Sequence, residues 1–173
     1  MIITAGKFKG QKITSPDENI TRPTLSKVRM SVFNILQAMI DFEGCSFLDM
    51  YAGSGIMGLE ALSRGFEKAL AIEKNLKVAN VIKSNFKKFE NYPKLIIGDS
   101  IKIVSNLKEM FDVVYIDPPY FSGIYEQSLD AIKNNSNGII ILEHVTEVDF
   151  KEFEILKQKK YGDKYITFLK SSN

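Results

Sequence analysis

Tryptophan is absent, cysteine and histidine occur once each (Cys45 and His144), and proline occurs five times in 173 residues. One cysteine and one histidine build neither a disulfide framework, a zinc site nor a Cys–His nucleophile pair, so no metal site is expected. No apolar run reaches the roughly 18 residues of a membrane span. The stretch Met1–Gly10 has lysines but no hydrophobic core, so it does not read as a secretion signal. A reducing cytoplasm is the expected setting. Glycine and proline are scattered and 45% of residues are hydrophobic, which excludes global disorder. A chain of this length suits one compact domain that buries roughly 70% of its unfolded surface.

Neither sign of charge dominates: 23 basic residues face 21 acidic ones. Their distribution is uneven. Residues 1–40 hold Lys7, Lys9, Lys12, Arg22, Lys27 and Arg29 against Asp17 and Glu18, which leaves the rest of the chain mildly acidic. A basic arm on such a body suits a polyanion docking at one edge; a solvated lysine-rich surface is the plain alternative. Two of the three arginines, Arg22 and Arg29, fall in this arm, where bidentate oxyanion binding would favour arginine over the habitual lysine.

Residues Ile2–Thr4 and Gln11–Thr14 read as a short hairpin around Gly6 and Gly10. Thr24 or Ser26 can cap a helix whose Val28, Val32, Ile35, Leu36 and Met39 recur at helical spacing. From Gly44 onward strands and helices alternate: strands Cys45–Met50, Ala69–Glu73, Leu95–Ile97, Asp112–Ile116 and Gly138–Leu142, with helices between them. Phe153–Tyr161 and Lys164–Leu169 flank Gly162-Asp163 and read as a closing hairpin. Continuous apolar strands imply a mostly parallel sheet covered on both faces, a three-layer, doubly wound α/β fold. Residues 1–43 are expected to form a basic extension and 44–173 the main domain. Ligands of such sheets lie beyond the carboxyl ends of the strands. Asp49–Gly58, Glu73, Gly98-Asp99 and Asp117–Tyr120 all follow strand ends.

Gly53, Gly55 and Gly58 match the dinucleotide spacing G-x-G-x-x-G, and Glu73 follows Gly53 by 20 residues, which argues for a nicotinamide cofactor. Asp49 argues the other way, because a carboxylate just before the turn repels a pyrophosphate and suits a cation. Glu73 can accept from a ribose diol; its neighbour Lys74 offers the alternative of a surface charge pair. Asp99 can accept from an adenine amino group or cap the following helix, and the two roles are compatible. The tetrapeptide Asp117-Pro118-Pro119-Tyr120 arises by chance in such a chain on the order of one time in a thousand. Its prolines have no N–H, so the turn presents bare carbonyls. Asp117 and the Pro118 carbonyl can together accept both N–H bonds of an exocyclic amine while Tyr120 stacks on the ring that carries it.

These residues resemble the successive motifs of class I S-adenosylmethionine-dependent amino-methyltransferases: Asp49-x-Tyr51-Ala52-Gly53-Ser54-Gly55, Glu73, Gly98-Asp99 and Asp117-Pro118-Pro119-Tyr120. Further stretches are similar to the bacterial 16S ribosomal RNA guanine-N2 methyltransferase family. They are Ala5–Gly10, Arg22-Pro23-Thr24, Val28-Arg29, Phe33-Asn34 and Gly58–Gly65; Met30 stands where that family often has an acidic residue. The resemblance implies a seven-stranded Rossmann-like methyltransferase acting on RNA of the small ribosomal subunit; a monomer is expected. S-adenosylmethionine would lie against Asp49, Tyr51, Ala52, Gly53, Ser54, Gly55, Glu73 and Asp99. Asp117, Pro118, Pro119 and Tyr120 would serve catalysis, and Lys7, Lys9, Arg22 and Arg29 would contact RNA. A DNA or other RNA amino-methyltransferase, a nicotinamide-dependent oxidoreductase and an inactive RNA-binding protein are the alternatives.

Overall fold

The computed structural model describes residues 1–16, 26–119, 123–150 and 152–172. In chain order these contain α1 (Ser26–Met39), β1 (Ser46–Asp49), α2 (Ile56–Ser63), β2 (Lys68–Glu73), α3 (Leu76–Phe86), β3 (Lys94–Ile97), α4 (Ser100–Asn106), β4 (Phe111–Ile116), α5 (Ile124–Ile132), β5 (Ser136–His144), β6 (Phe153–Tyr161) and β7 (Lys164–Ser171). The strands form one sheet in the order β3-β2-β1-β4-β5-β7-β6. The pairs from β3 to β5 are parallel, and β7 joins β5 and β6 antiparallel. The chain has the expected Rossmann-like architecture.

Alternation along each strand splits the core in two. Phe47, Val113, Tyr115, Ile139, Ile141, Ile166 and Phe168 face α1, α2 and α3. Leu48, Val114, Ile116, Ile140, Leu142 and Leu169 face α4 and α5. The N-terminal segment shares the first core through Ile3, Phe8 and Ile13. It covers the outer side of α2, all eight of whose residues are buried. The expected N-terminal hairpin is reduced to a single bridge, Ile2 with Lys12, tightened by Ile3 N–H to Gln11 O at 3.0 Å and Gly10 N–H to Ile3 O at 2.9 Å. α1 opens at Ser26; Thr24, the other capping candidate, lies outside the described residues. The Asn75 side chain caps α3 by accepting from the N–H groups of Lys77 and Val78, and Asp99 caps α4 by accepting from Lys102.

Candidate active site

Strand order reverses at β1, which leads outward to β2 and β3 on one side while β4 returns to its other flank. A crevice therefore opens between the carboxyl ends of β1 and β4. Asp49 ends β1 beside Tyr115 of β4, and Met50 N–H donates to Tyr115 O at 3.0 Å. Asp117 follows the last residue of β4. The two motifs, far apart in sequence, thus meet at one edge.

The turn after β1 closes through Gly55 N–H to Ala52 O at 2.8 Å, with Gly53 and Gly55 at φ +55° and +82°. A Cβ on Gly55 would also lie 2.7 Å from the Phe86 ring, so helix α3 packs directly on this turn. Glu73 fixes the turn from β2: its Oε2 accepts from Gly53 N–H at 3.1 Å and its Oε1 from Asn75 N–H at 2.7 Å. Each oxygen retains capacity for a further donor. Lys74 pairs with Asp99 at 3.4 Å instead of with Glu73. The Lys102 N–H, then Lys74, hold the Asp99 carboxyl below its ordinary range. Ala52 and Ser54 are buried; the Tyr51 hydroxyl meets Ser128 Oγ at 2.7 Å, and burial pushes its phenol up.

Asp49 is 1% exposed, and among the described residues neither of its side-chain oxygens has a partner in good hydrogen-bonding geometry. Burial pushes its carboxyl up to about 8; the nearby Tyr51 backbone N–H offsets a part of this, and Asp117, Glu73 and Glu143 add like charge. A buried acceptor left without a donor or cation is costly, and a group carrying fixed positive charge would satisfy it. With Glu73 ready to accept two hydroxyls and a glycine turn between, the residues present fit S-adenosylmethionine.

Pro118 is buried and Pro119 exposed, so the turn is anchored on one ring. Tyr120 lies outside the described residues. Asp117, half-buried, receives Lys164 Nζ at 3.2 Å, and the same ammonium donates to Glu143 Oε2 at 2.5 Å. Glu143 is fully buried and also accepts the Tyr115 hydroxyl. Sequence reasoning missed this network. Glu143 carried the one usable signal, a carboxylate continuing the apolar run Ile139–Leu142; Lys164 carried none.

The arm residues separate into two kinds. Lys7 and Lys9 are exposed, with the Lys7 ammonium 4.7 Å from the Phe8 ring centre, and Arg22 lies outside the described residues. The expectation that Arg29 touches substrate is corrected: its side chain is 0% exposed. Its Nε donates to Glu60 Oε2 at 3.1 Å and its Nη2 to Ile2 O at 2.6 Å. Glu60 further accepts Arg64 Nε at 3.0 Å and the backbone N–H of Thr4. Arg29 ties α1, α2 and the N-terminal segment together, and no phosphate reaches it. His144 is buried, with Nδ1 2.7 Å from Thr146 O and Nε2 2.8 Å from Thr167 Oγ1, a satisfied core side chain.

The strand order, the glycine turn at its switch point and the Asp-Pro-Pro turn beside it define a Rossmann-like methyltransferase. Residues 1–170 match the family described as Conserved hypothetical protein 95, and the chain belongs to that family. It is 32% identical over 174 residues to ribosomal RNA small subunit methyltransferase D of Haemophilus influenzae, covering 92% of this chain and 88% of the relative. The solved H. influenzae protein HI0767 shares 26% identity and superposes with a TM-score of 0.81 over 100% and 99% of the two chains. The fold also matches magnesium protoporphyrin IX methyltransferase of Synechocystis with bound SAM, at TM-score 0.66 and 15% identity over 83% and 76% of the chains. The nicotinamide reading drawn from the glycine spacing gives way to a methyl-donor site.

Proposed function

We propose that this chain transfers the methyl group of S-adenosylmethionine to the exocyclic N2 amino group of a guanine in small-subunit ribosomal RNA. The observation that carries the reading is the meeting of the buried, unpartnered Asp49 carboxyl with the Asp117-Pro118-Pro119 turn at one switch point. Asp49 faces the positive charge of the cofactor, Glu73 accepts its ribose hydroxyls, and Asp99 accepts at its adenine, with Tyr51, Ala52, Gly53, Ser54 and Gly55 lining the turn. S-adenosylmethionine, when bound, supplies an electrophilic methyl on a sulfonium.

The remaining work falls to the protein. Asp117 and the Pro118 carbonyl accept the two N–H bonds of the guanine amine, which turns its lone pair out of conjugation with the ring. Pro119 stiffens the turn and Tyr120 stacks on the base. The base must leave its helix to reach them. Asp117 acts as an orienter that stays ionised, and the methylated amine gives up its proton to solvent afterwards. Positioning of this kind can supply about 7–11 kcal/mol in the best geometries. Residues 1–43, through Lys7, Lys9 and Arg22, dock the RNA, and 44–173 carry the chemistry, as a monomer. The small-subunit name of the H. influenzae relative favours that RNA as the partner.

The test is transfer of labelled methyl to small subunits from cells lacking the gene, with naked RNA and DNA alongside. N2-methylguanine is expected in the subunit RNA. Asp117→Ala should lose about 100-fold or more in rate while binding S-adenosylmethionine as before. Label in DNA alone, or none anywhere with cofactor bound, overturns the reading.

A further inference from the structure

Lys164 is the first residue of β7, and β7 runs antiparallel to β5, so the turn that ends the β6–β7 hairpin lies at the carboxyl edge of the sheet. From there its ammonium reaches Asp117 Oδ1 at 3.2 Å and Glu143 Oε2 at 2.5 Å. Tyr115, Glu143, Lys164 and Asp117 form one hydrogen-bonded chain across three strands. Lys164 is 14% exposed, Asp117 16% and Glu143 0%. Among the described residues, the groups that face Asp117 from packed elements include Asp49 at the end of β1, Tyr115 on its own strand, Glu143 in β5 and Lys164 in β7; Glu73 of β2 reaches Asp49.

Asp49 and Glu143 are like charges beside Asp117, and a cation held between Asp117 and Glu143 offsets the repulsion. The chemistry needs that offset. As the amine forms its new N–C bond its nitrogen gains positive charge, which an ionised carboxylate stabilises and a protonated one does not. We propose that Lys164 is a positioning residue for methyl transfer, holding the Asp117 carboxylate ionised and in one orientation toward the substrate amine. The inference rests on the reading of Asp117 as the acceptor of that amine.

The test compares Lys164→Met, Lys164→Gln and Lys164→Arg with the unaltered full-length protein. In the Met and Gln variants the acid limb of kcat should move up by about one pH unit or more, a tenfold loss on that limb that shrinks to about threefold or less at alkaline pH. Arginine should restore the limb, and S-adenosylmethionine should bind all four proteins alike. Carbon-13 NMR of the aspartate carboxyl groups in the cofactor-free protein reads the same effect without turnover: Asp117 titrates at higher pH once the lysine is gone. Should Lys164→Met fail to fold, Lys164→Gln carries the comparison. An unmoved limb and NMR midpoint, or a loss equal at every pH that arginine does not repair, overturns the positioning role alone. Full transfer by Asp117→Ala, or no transfer by the unaltered protein, overturns the Asp117 reading and takes this inference with it.

Discussion

Asp49 is a carboxyl 1% exposed, with neither oxygen in good hydrogen-bonding geometry among the described residues, pushed by burial up to about 8 with only the nearby Tyr51 backbone N–H set against it. Arg29 is as deeply buried but has Glu60 as counter-charge, whereas Asp49 has no cation beside it among the described residues. Because the Asp49 carboxyl titrates higher in the folded chain than its ordinary 3.8, the stability from its proton is complete below about pH 3.8 and is lost as pH rises toward 8. Asp49→Asn keeps the shape and removes the titration. The melting temperature of the free variant should therefore fall less steeply than that of the unaltered protein between about pH 6 and 8.5. Cofactor binding moves in the opposite sense, since a cation favours the carboxylate. Affinity for S-adenosylmethionine in the unaltered protein should rise toward pH 8, while Asp49→Asn binds about tenfold more weakly or worse, with that rise reduced. Thermal melts and calorimetric titration across this range check the two effects. An asparagine variant that binds as well as the original would remove Asp49 from the cofactor site.

The N-terminal segment docks on the end of α2 through both the backbone and the side chain of Ser63. Lys7 N–H donates to Ser63 O at 2.9 Å, Phe8 N–H to Ser63 Oγ at 2.9 Å, and Ser63 Oγ–H to Ala5 O at 2.6 Å. Gly6 makes this approach possible: at φ +81° a Cβ there would sit 1.8 Å from Ser63 O. Gly10 has a similar φ of +86° with nothing within 4 Å of its would-be Cβ. Gly10→Ala should cost about 1 kcal/mol of backbone strain, whereas Gly6→Ala adds a clash with main chain and should cost about 3 kcal/mol or undock the segment. Urea unfolding of the pair separates strain from steric clash, and equal losses would deny the docking. At this scale the sequence was easiest to read where signals are local. The Val28–Met39 periodicity and the Gly162-Asp163 turn located α1 and the closing hairpin. β5 proved longer than Gly138–Leu142 because Glu143 and His144, polar in sequence, find buried partners on β4 and β7. Arg29 misled for the same reason: its partner Glu60 lies 31 positions away, and nothing in the sequence announces the pairing. Glu60 stands alone in the apolar run Ile56–Leu62, which marks it as buried without saying for what. The strand-end motifs of the site were legible because glycine turns and an Asp-Pro-Pro turn declare themselves locally. Lys164 stands 47 positions from Asp117, so only the antiparallel return of β7 could bring it in.

Across the whole molecule the charge is arranged in two zones. Asp49, Glu73, Asp117 and Glu143 gather at the carboxyl edge of the sheet, a cluster of carboxyls that Lys164 offsets in part and that disfavours phosphates. Lys7, Lys9, Lys12 and Lys27 are exposed, and the segment docks through Lys7 N–H on Ser63, the last residue of α2. On the proposed reading a polyanion is attracted to the arm and repelled by the carboxyl cluster, so only a base extruded from it should enter. With Arg29 withdrawn into the interior, the proposed phosphate binding by the arm rests on its lysines and Arg22. Replacing Lys7 and Lys9 with glutamine should weaken RNA binding without regard to sequence and lower the slope of log K against log salt by about one for each lysine–phosphate pairing removed. The rate at saturating RNA should stay unchanged, because the segment that carries both lysines docks at Ser63, the end of α2 away from the glycine turn. Filter binding of ribosomal RNA over a range of salt, with the rate measured on the same preparation, reads both quantities. A slope identical to that of the unaltered protein would move RNA docking away from the arm, toward the exposed lysines of β6, Lys157, Lys159 and Lys160, at the far edge of the sheet.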